Sequence, residues 1–540
     1  MAAPEPIITN DRLILAKIET TNGVDAAPTE ALNAILVDTL EVTKMQTKTV
    51  DRKPVQPFMG AGAKIVTSFD SMIKCKIALA IGANADGVPT VGTTPHYDVL
   101  LRICGMQRTT TAVEVSGTAQ GGTVKTITLA AGASATDDIY SGLRILTTVT
   151  SGAAQAPGVT DLNVIKFKAG DSTTDDFYIG DSVTVQHFAG TIDSASDRIS
   201  TTKVIYLPSA TVAGNNLKGT DIKLTTGSNA PEIRRIISYN ATTQRAVLSS
   251  PLTVTPTNAT TFKITETVEI TAYNGTTKIA TLQRNLKFAT IATTPYSILE
   301  ARTITDYNGT SKIAAVTPPF SKAPTSSVTY IIGANVTYSL ISKAIPTATF
   351  YYYEDDYLYA FTGARADLSI SGDSGNLLFA DITCTGILDR YEVATMPTST
   401  AGYFAAPLPI NSENTNALSL HSYDDLELKK LAIGLNNAVA HTDNPGANRV
   451  RISARDVKGS VTIAAVRPGD FDFLDTIRNG YSKEFLFSHG PIGNNVTLYC
   501  PNTQLNNPKD SDANGTLENT MDMNMPAIKP GNNEIKIILQ

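Results

Sequence analysis

Two short stretches carry residue types that could do chemistry. "GDSG" at Gly372–Gly375 is the tetrapeptide that surrounds a trypsin-like serine nucleophile. That chemistry needs a histidine, oriented by a buried aspartate, to take the proton of Ser374, and backbone amides to hold an oxyanion. Asn376 follows where such enzymes carry glycine, and none of the five histidines (His96, His187, His421, His441, His489) sits in a matching context. The stretch reads as a hairpin turn. "DSDANGTLE" at Asp510–Glu518 is sharper, because Asp510, Asp512, Asn514 and Gly515 fall at the first, third, fifth and sixth positions of a calcium loop. Its twelfth position should supply a bidentate glutamate and is Met521, and no helical pattern flanks it. Asp510, Asp512 and Asn514 are the one metal candidate, set against a solvated turn. "GAGAK" at Gly60–Lys64 lacks the spacing of a phosphate loop. No catalytic residue, cofactor or further metal ligand is expected, and the chain reads as a protein that is not an enzyme.

The elements around these stretches read mostly as strands. The chain has 540 residues, too many for one core, with 42% hydrophobic and 17% charged residues, no tryptophan and a formal charge of −6. Abundant Thr, Ser, Asn and Gly with Asn-Gly pairs suit short strands and tight turns. The mild negative charge and the lack of Lys/Arg runs argue against gripping phosphate backbones. Cys75, Cys104, Cys384 and Cys500 are far apart, without a CxxC spacing, and read as small buried residues in a reducing compartment. No basic-then-apolar leader opens "MAAPEPIITNDRLILAKIET", and no apolar run approaches the ~20 residues of a membrane span, so neither a secretion signal nor a membrane segment is expected.

"TATFYYYEDDYLYAFTGARADLSI" predicts an aromatic hairpin about Glu354 and Asp355 and a following strand, and "SYDDLELKKLAIGL" is read as a strand. "NRVRISARDVKGSVTIAAV" and "NEIKIIL" alternate at period two. Two short helices are expected. "TPHYDVLLRICG" offers Thr94 as cap, Pro95 at the first helical position, Gly105 as stop and one apolar face of Tyr97, Leu100, Leu101 and Cys104. "GDFDFLDTIRNG" offers Asp470 as cap and Gly480 as stop. The helices echo each other at an offset of 374, Leu100 answering Leu474 and Ile103 answering Ile477. Each follows a long strand preceded by a Pro/Gly/Asn-rich loop, "DRKPVQPFMGAG" or "VAHTDNPGA", and each half ends in a glycine turn (Gly375, Gly515) and a last strand. The chain thus reads as two copies of one domain.

Between them lies a Thr/Ser/Asn/Gly-rich excursion in which Tyr239, Tyr273 and Tyr307 recur every 34 residues. Each tyrosine follows an isoleucine by three (Ile236, Ile270, Ile304) and precedes an alanine by seven (Ala246, Ala280, Ala314). The phrase predicts a hairpin with Asn-Gly in the turn, repeated through small β-sandwich or β-roll modules. The expected fold is therefore mainly β: two tandem sandwich or barrel domains, each with one short flanking helix, plus inserted Ig-like or β-roll modules. Expected boundaries are 1–106 with 339–400 for the first domain, 107–338 for the insertion and 401–540 for the second domain.

Outside the excursion, over roughly 310 residues, the chain resembles the major tail tube proteins of long, non-contractile-tailed bacteriophages. The resemblance rests on "LILAKIETTNGVDAAPTEALNAILVDTLEVTKMQTKTVDRKPVQPFMGAGAKIVTSFDSMIKCKIALA", "TPHYDVLLRICGM", "ATFYYYEDDYLYAFTGARADLSISGDSGNLLFADITCTGI" and "LFSHGPIGNNVTLYCPNTQ" taken in order. It implies a structural virion protein, assembled in the host bacterial cytoplasm, whose sheets join around a ring and whose stacked rings form the conduit for DNA ejection. Implied partners are further copies of the chain, the tape measure protein and transiting viral DNA in the lumen, and the tail terminator and tail tip proteins, with no membrane. Rings would stack through the long loop between early strands, which here carries Lys48, Asp51, Arg52, Lys53, Phe58 and Met59. Two tube domains per chain imply a homotrimer in a pseudo-sixfold ring, with a hexamer of single-domain chains as the alternative. The insertion would project outward as a decoration, for clamping rings or for contacting host-surface glycans. Competing readings are a secreted or surface β-repeat adhesin or carbohydrate-binding protein, and a carbohydrate-active enzyme, which the lack of tryptophan platforms disfavours.

Overall fold

The computed structural model describes residues 11–51, 64–84, 87–111, 115–153, 164–166, 181–193, 200–208, 217–226, 232–249, 251–274, 279–282, 284–288, 294–320, 323–398, 404–412, 414–424, 426–491, 493–513 and 515–540. The protein is mainly β, with 56% strand, 4% helix and large antiparallel sheets, and three short helices among the described residues. It divides into two compact units: Met1–Val115, Tyr140–Leu143 and Gly333–Gln540 form the first, Ser116–Ile139 and Arg144–Ile332 the second.

The first unit holds strands β1 (Arg12–Ile18), β2 (Thr39–Asp51), β3 (Lys64–Ala78), β4 (Met106–Thr111), β5 (Asn335–Leu340), β6 (Ala348–Glu354), β7 (Tyr357–Asp373), β8 (Leu378–Val393), β9 (Thr415–Leu420), β10 (Leu428–Gly434), β11 (Val439–Asn444), β12 (Ala447–Ile452), β13 (Lys458–Ala464), β14 (Ser482–His489), β15 (Val496–Ala513), β16 (Thr516–Asn524) and β17 (Lys536–Leu539). Its helices are α1 (Glu30–Asn33), α2 (Asp98–Ile103) and α3 (Phe473–Arg478). The sheet runs β2-β3-β8-β7-β10-β13-β16-β15-β17-β5-β4, with β1-β6 attached to β7 and β9-β14 attached to β15. One four-strand block, β2-β3-β8-β7, is followed by a second, β10-β13-β16-β15, with the same connectivity. In each block a hairpin leads through a helix to a flanking strand, a long strand and its return.

Alternation builds these strands. In β7, Ala366, Leu368 and Ile370 are buried while Arg365, Asp367 and Ser369 are not. Leu431 and Ile433 of β10, Val461 and Ile463 of β13, and Met521 and Met523 of β16 continue the same core. Each such side chain contributes roughly 1.5–3 kcal/mol by leaving water. "SYDDLELKKLAIGL" does supply a strand, beginning at Leu428.

Helix α2 is held by burial more than by a cap. Tyr97, Leu100, Leu101, Ile103 and Cys104 are fully enclosed. The Tyr97 hydroxyl donates to Ala80 O at 2.5 Å, and Asp98 accepts from Tyr338 (2.8 Å) and Arg108 (2.8 Å). Neither Thr94 nor Pro95 opens it; the helix begins at Asp98 after a turn in which Asp98 N–H donates to Pro95 O. In α3 the capping aspartate is Asp472, not Asp470: its carboxylate accepts from Asp475 N–H at 2.9 Å, three residues on, where a cap must reach. Asp470 N–H instead closes the preceding turn on Arg467 O. Leu474, the expected counterpart of buried Leu100, is 61% exposed, and Phe473 is buried in its place. The expected loop "VAHTDNPGA" forms part of the β11–β12 hairpin, and the long strand expected after it is broken into β12 and β13.

In the second unit the 34-residue repeat is a repeated hairpin. Ile236 pairs with Leu248 and Tyr239 with Ala246; Ile270 with Leu282 and Tyr273 with Ala280; Ile304 with Val316 and Tyr307 with Ala314. Each has a bulge one residue after the isoleucine. The turn differs from the expected two-residue Asn-Gly. Asn240 and Asn308 end their strands and accept from the N–H groups two and three residues on, and Gln244 and Lys312 close the wider turns at positive φ. The sheet of this unit, 15-stranded among the described residues, is built around these hairpins, and Ala246, Ala280 and Ala314 are fully buried.

Candidate assembly interface

The two blocks of the first unit meet edge to edge. Ser369–Asp373 of β7 pair antiparallel with Lys430–Gly434 of β10. Past Gly434 the chain keeps following β7: Leu435 N–H donates to Leu368 O (2.9 Å) and Asn437 N–H to the Asp367 carboxylate (2.7 Å). Burial pushes the Asp367 carboxyl above the usual carboxylate range, and the hydrogen bond from Asn437 offsets part of that. The chain then turns out into the β11–β12 hairpin, here called the second arm.

This arm sits on a β-bulge. The pairing of β7 with β8 shifts register between Thr362 and Arg365, around Gly363 at φ +63°. A bulge leaves backbone groups without ladder partners. Glu19, 7% exposed, fills that need by accepting from Gly363 N–H (2.7 Å), Gly23 N–H (2.7 Å) and the hydroxyls of Thr347 (2.6 Å) and Thr349 (3.0 Å). Arg365 then reaches the arm, donating to Val450 O (2.5 Å) and also to Ile345 O (2.8 Å). Burial, and after it the Arg451 charge, lower the Arg365 pKa from its usual value. Val450 is fully enclosed, and the His441 ring, 3.8 Å from the Asp70 carboxylate, is nearly so.

The hairpin β2–β3 is the first arm, and its outer half is open. Its base is anchored where the β2–β3 register shifts, between Thr43 and Gln46. There Lys44 pairs with Glu354 and lies 4.1 Å over the Tyr359 ring, and Ser71 donates to Lys44 O at 2.7 Å. Beyond, Met45–Asp51 and Lys64–Thr67 are all exposed, including Met45, Val50, Ile65 and Val66 at 49–56%. Among the described residues β2 pairs with no strand other than β3, and Leu505–Ala513 of β15 pair on one side, with β16.

Of the loop residues singled out in the sequence, Lys48 lies 3.5 Å from Asp70 and Asp51 4.0 Å from Lys64, both on the first arm. Arg52, Lys53, Phe58 and Met59 lie outside the described residues. The calcium candidates fall at the turn joining β15 to β16. Asp512 accepts from Gly515 N–H (2.8 Å), Asp510 accepts from the Asn519 amide, and Asn514 lies outside the described residues. Both aspartates are thus engaged in the hairpin itself, and no cluster of three or more His, Cys, Asp or Glu occurs among the described residues. Ser374 of "GDSG" sits in the β7–β8 turn, where its N–H donates to Lys429 O and Gly375 N–H to Ile410 O. Sequence reasoning passed over Glu19, Gly363, Arg365 and Val450, whose roles depend on pairings between distant strands. No family model matches the chain, and no curated protein matches its sequence.

Proposed function

We propose that the protein is a self-assembling structural subunit of the tail tube type, in which copies join sheet edge to sheet edge into a closed ring and rings stack into a hollow tube. The observation that carries this reading is the seam between β7 and β10. One block ends on β7 and hands its edge to the first strand of the next block. The corresponding strands at the outer ends, β2 and the Leu505–Ala513 stretch of β15, lack that partner among the described residues. Exposed strand edges are a liability in a monomer and an asset in a closed ring, where each edge finds the next copy. Read as two tandem tube domains, three chains complete a pseudo-sixfold ring, and the second unit is a decoration. The tube would enclose the tape measure protein and then viral DNA, without sequence-specific grip, in keeping with the mild negative charge. Nothing in this role calls for catalysis or a cofactor.

Electron microscopy of the purified protein over a concentration series tests the reading. Hollow rings or tubes with threefold symmetry, three chains per ring, are expected. Sixfold rings of six chains would keep the tube and remove the tandem. Separate rod-like monomers at every concentration would overturn the tube and favour an adhesin.

A further inference from the structure

We propose that the exposed first arm docks in trans onto the Asn506–Lys509 bulge of β15 in a second copy of this chain, as the second arm docks in cis onto the Thr362–Arg365 bulge of β7. This rests on the assembly reading above and names the contact that reading leaves open.

The two bulges match feature by feature. The β7–β8 ladder skips from Thr362 to Arg365, and the β15–β16 ladder from Asn506 to Lys509, so each bulge spans the same number of residues. In each, the second residue has positive φ: Gly363 at +63° and Asn507 at +48°. In each, the last residue is a cation, Arg365 or Lys509. Each bulge lies before the stretch of its strand that forms the seam, Ser369–Asp373 in β7, or that is open to form one, up to Ala513 in β15.

The arms match as well. "FDSMIKCKIALA" (Phe69–Ala80) and "RDVKGSVTIAAV" (Arg455–Val466) occupy the same place after each arm, which sets Asp70 against Asp456 and Lys64 against Val450. Lys64 faces Asp51 across the first arm, and Val450 faces His441 across the second. What differs is occupancy. The β7 bulge carries an arm, whereas the β15 bulge borders an open groove of roughly 690 Å³ lined by Lys458, Asn506, Asn507, Asp522 and Asn524. The arm without a seat exposes Met45, Val50, Ile65 and Val66; the arm with a seat buries Val450 completely. Among the described residues, one chain therefore holds an unseated arm and an unoccupied bulge. A second copy satisfies both, with Lys509 donating to the carbonyl of Lys64 as Arg365 donates to that of Val450.

Cross-linking between variants tests this. Chains carrying Lys64→Cys are mixed with chains carrying Lys509→Cys, assembled and treated with a short bismaleimide. Ile65→Cys with Asn507→Cys serves as a second pair should either first variant misfold. The four native cysteines are buried, so the reagent reports the introduced thiols. Covalent dimers are expected in the mixtures and not in either variant alone, and Lys509→Glu should raise the concentration needed for assembly at least tenfold. Rings or tubes visible by microscopy without mixed dimers from either pair would overturn the docking and leave the tube standing. Wild-type protein that forms no ring or tube at any concentration would overturn both.

Discussion

The two arms of the first unit are one design in two environments. The second arm follows a strand that already lies against β7, so the chain delivers it onto a bulge prepared by Glu19 and Arg365, and Val450 is lost from solvent. The first arm is the β2–β3 hairpin; among the described residues β2 pairs with no strand other than β3, and the arm's apolar residues stay exposed. The lesson is that burial here is set by what precedes a strand in the sheet more than by the residues of the arm itself. Among the described residues, one arm is seated against the rest of its unit and the other is exposed.

The largest effect should come from charging equivalent points of the two arms. Val450→Asp places an unpaired carboxylate in an enclosed site and should cost about 3–5 kcal/mol in urea unfolding. Lys64→Asp, at the exposed counterpart, should change subunit stability by less than about 0.5 kcal/mol. Equal losses would erase the distinction between a seated and an unseated arm. Next, Glu19→Gln removes the charge from four hydrogen bonds around Gly363 and should lower stability by about 1–3 kcal/mol. Loss confined to the second arm, seen as faster amide exchange at β11–β12 with β14–β15 unchanged, would tie the bulge to the seat; uniform loss would make Glu19 a general core residue.

The smallest effect concerns pH. His421 and His489 flank the second block, buried at 1% and 3% exposure, with imidazole N–H groups donating to Thr503 O (2.7 Å) and Leu408 O (3.0 Å). Burial lowers both pKa values below 6.5. The unfolded chain therefore binds protons that the folded chain refuses, and stability present above about pH 6.5 should decline as pH falls through the lowered folded values. His421→Gln should flatten that decline in thermal melts. An unchanged slope would remove His421 as its source.

Local periodicity made much of this legible. The spacing of Ile236, Tyr239 and Ala246 and of its two repeats states a hairpin because a bulged antiparallel pair sets each tyrosine opposite its alanine, and the isoleucine and alanine of every copy are buried. Tyr97, Leu100, Leu101 and Cys104 state a helix face; for the other helix the sequence pattern points to Asp470 where the cap is Asp472, since several aspartates near a helix start satisfy the same pattern. The hairpin in "VAHTDNPGA" is not legible in the sequence because a polar, glycine-containing stretch reads as loop until its two halves are paired.

The sequence by itself determined the β class, the repeated hairpins, the apolar face of α2 and the burial of the four cysteines, because each depends on neighbours a few residues away or on side-chain polarity. Only the tertiary structure decided that β7 meets β10, that the bulges at Gly363 and Asn507 are alike, and that one arm is covered while the other is open. A register shift belongs to two strands at once, and the seat of an arm belongs to three. No window of sequence contains all the partners whose backbone groups must be satisfied together.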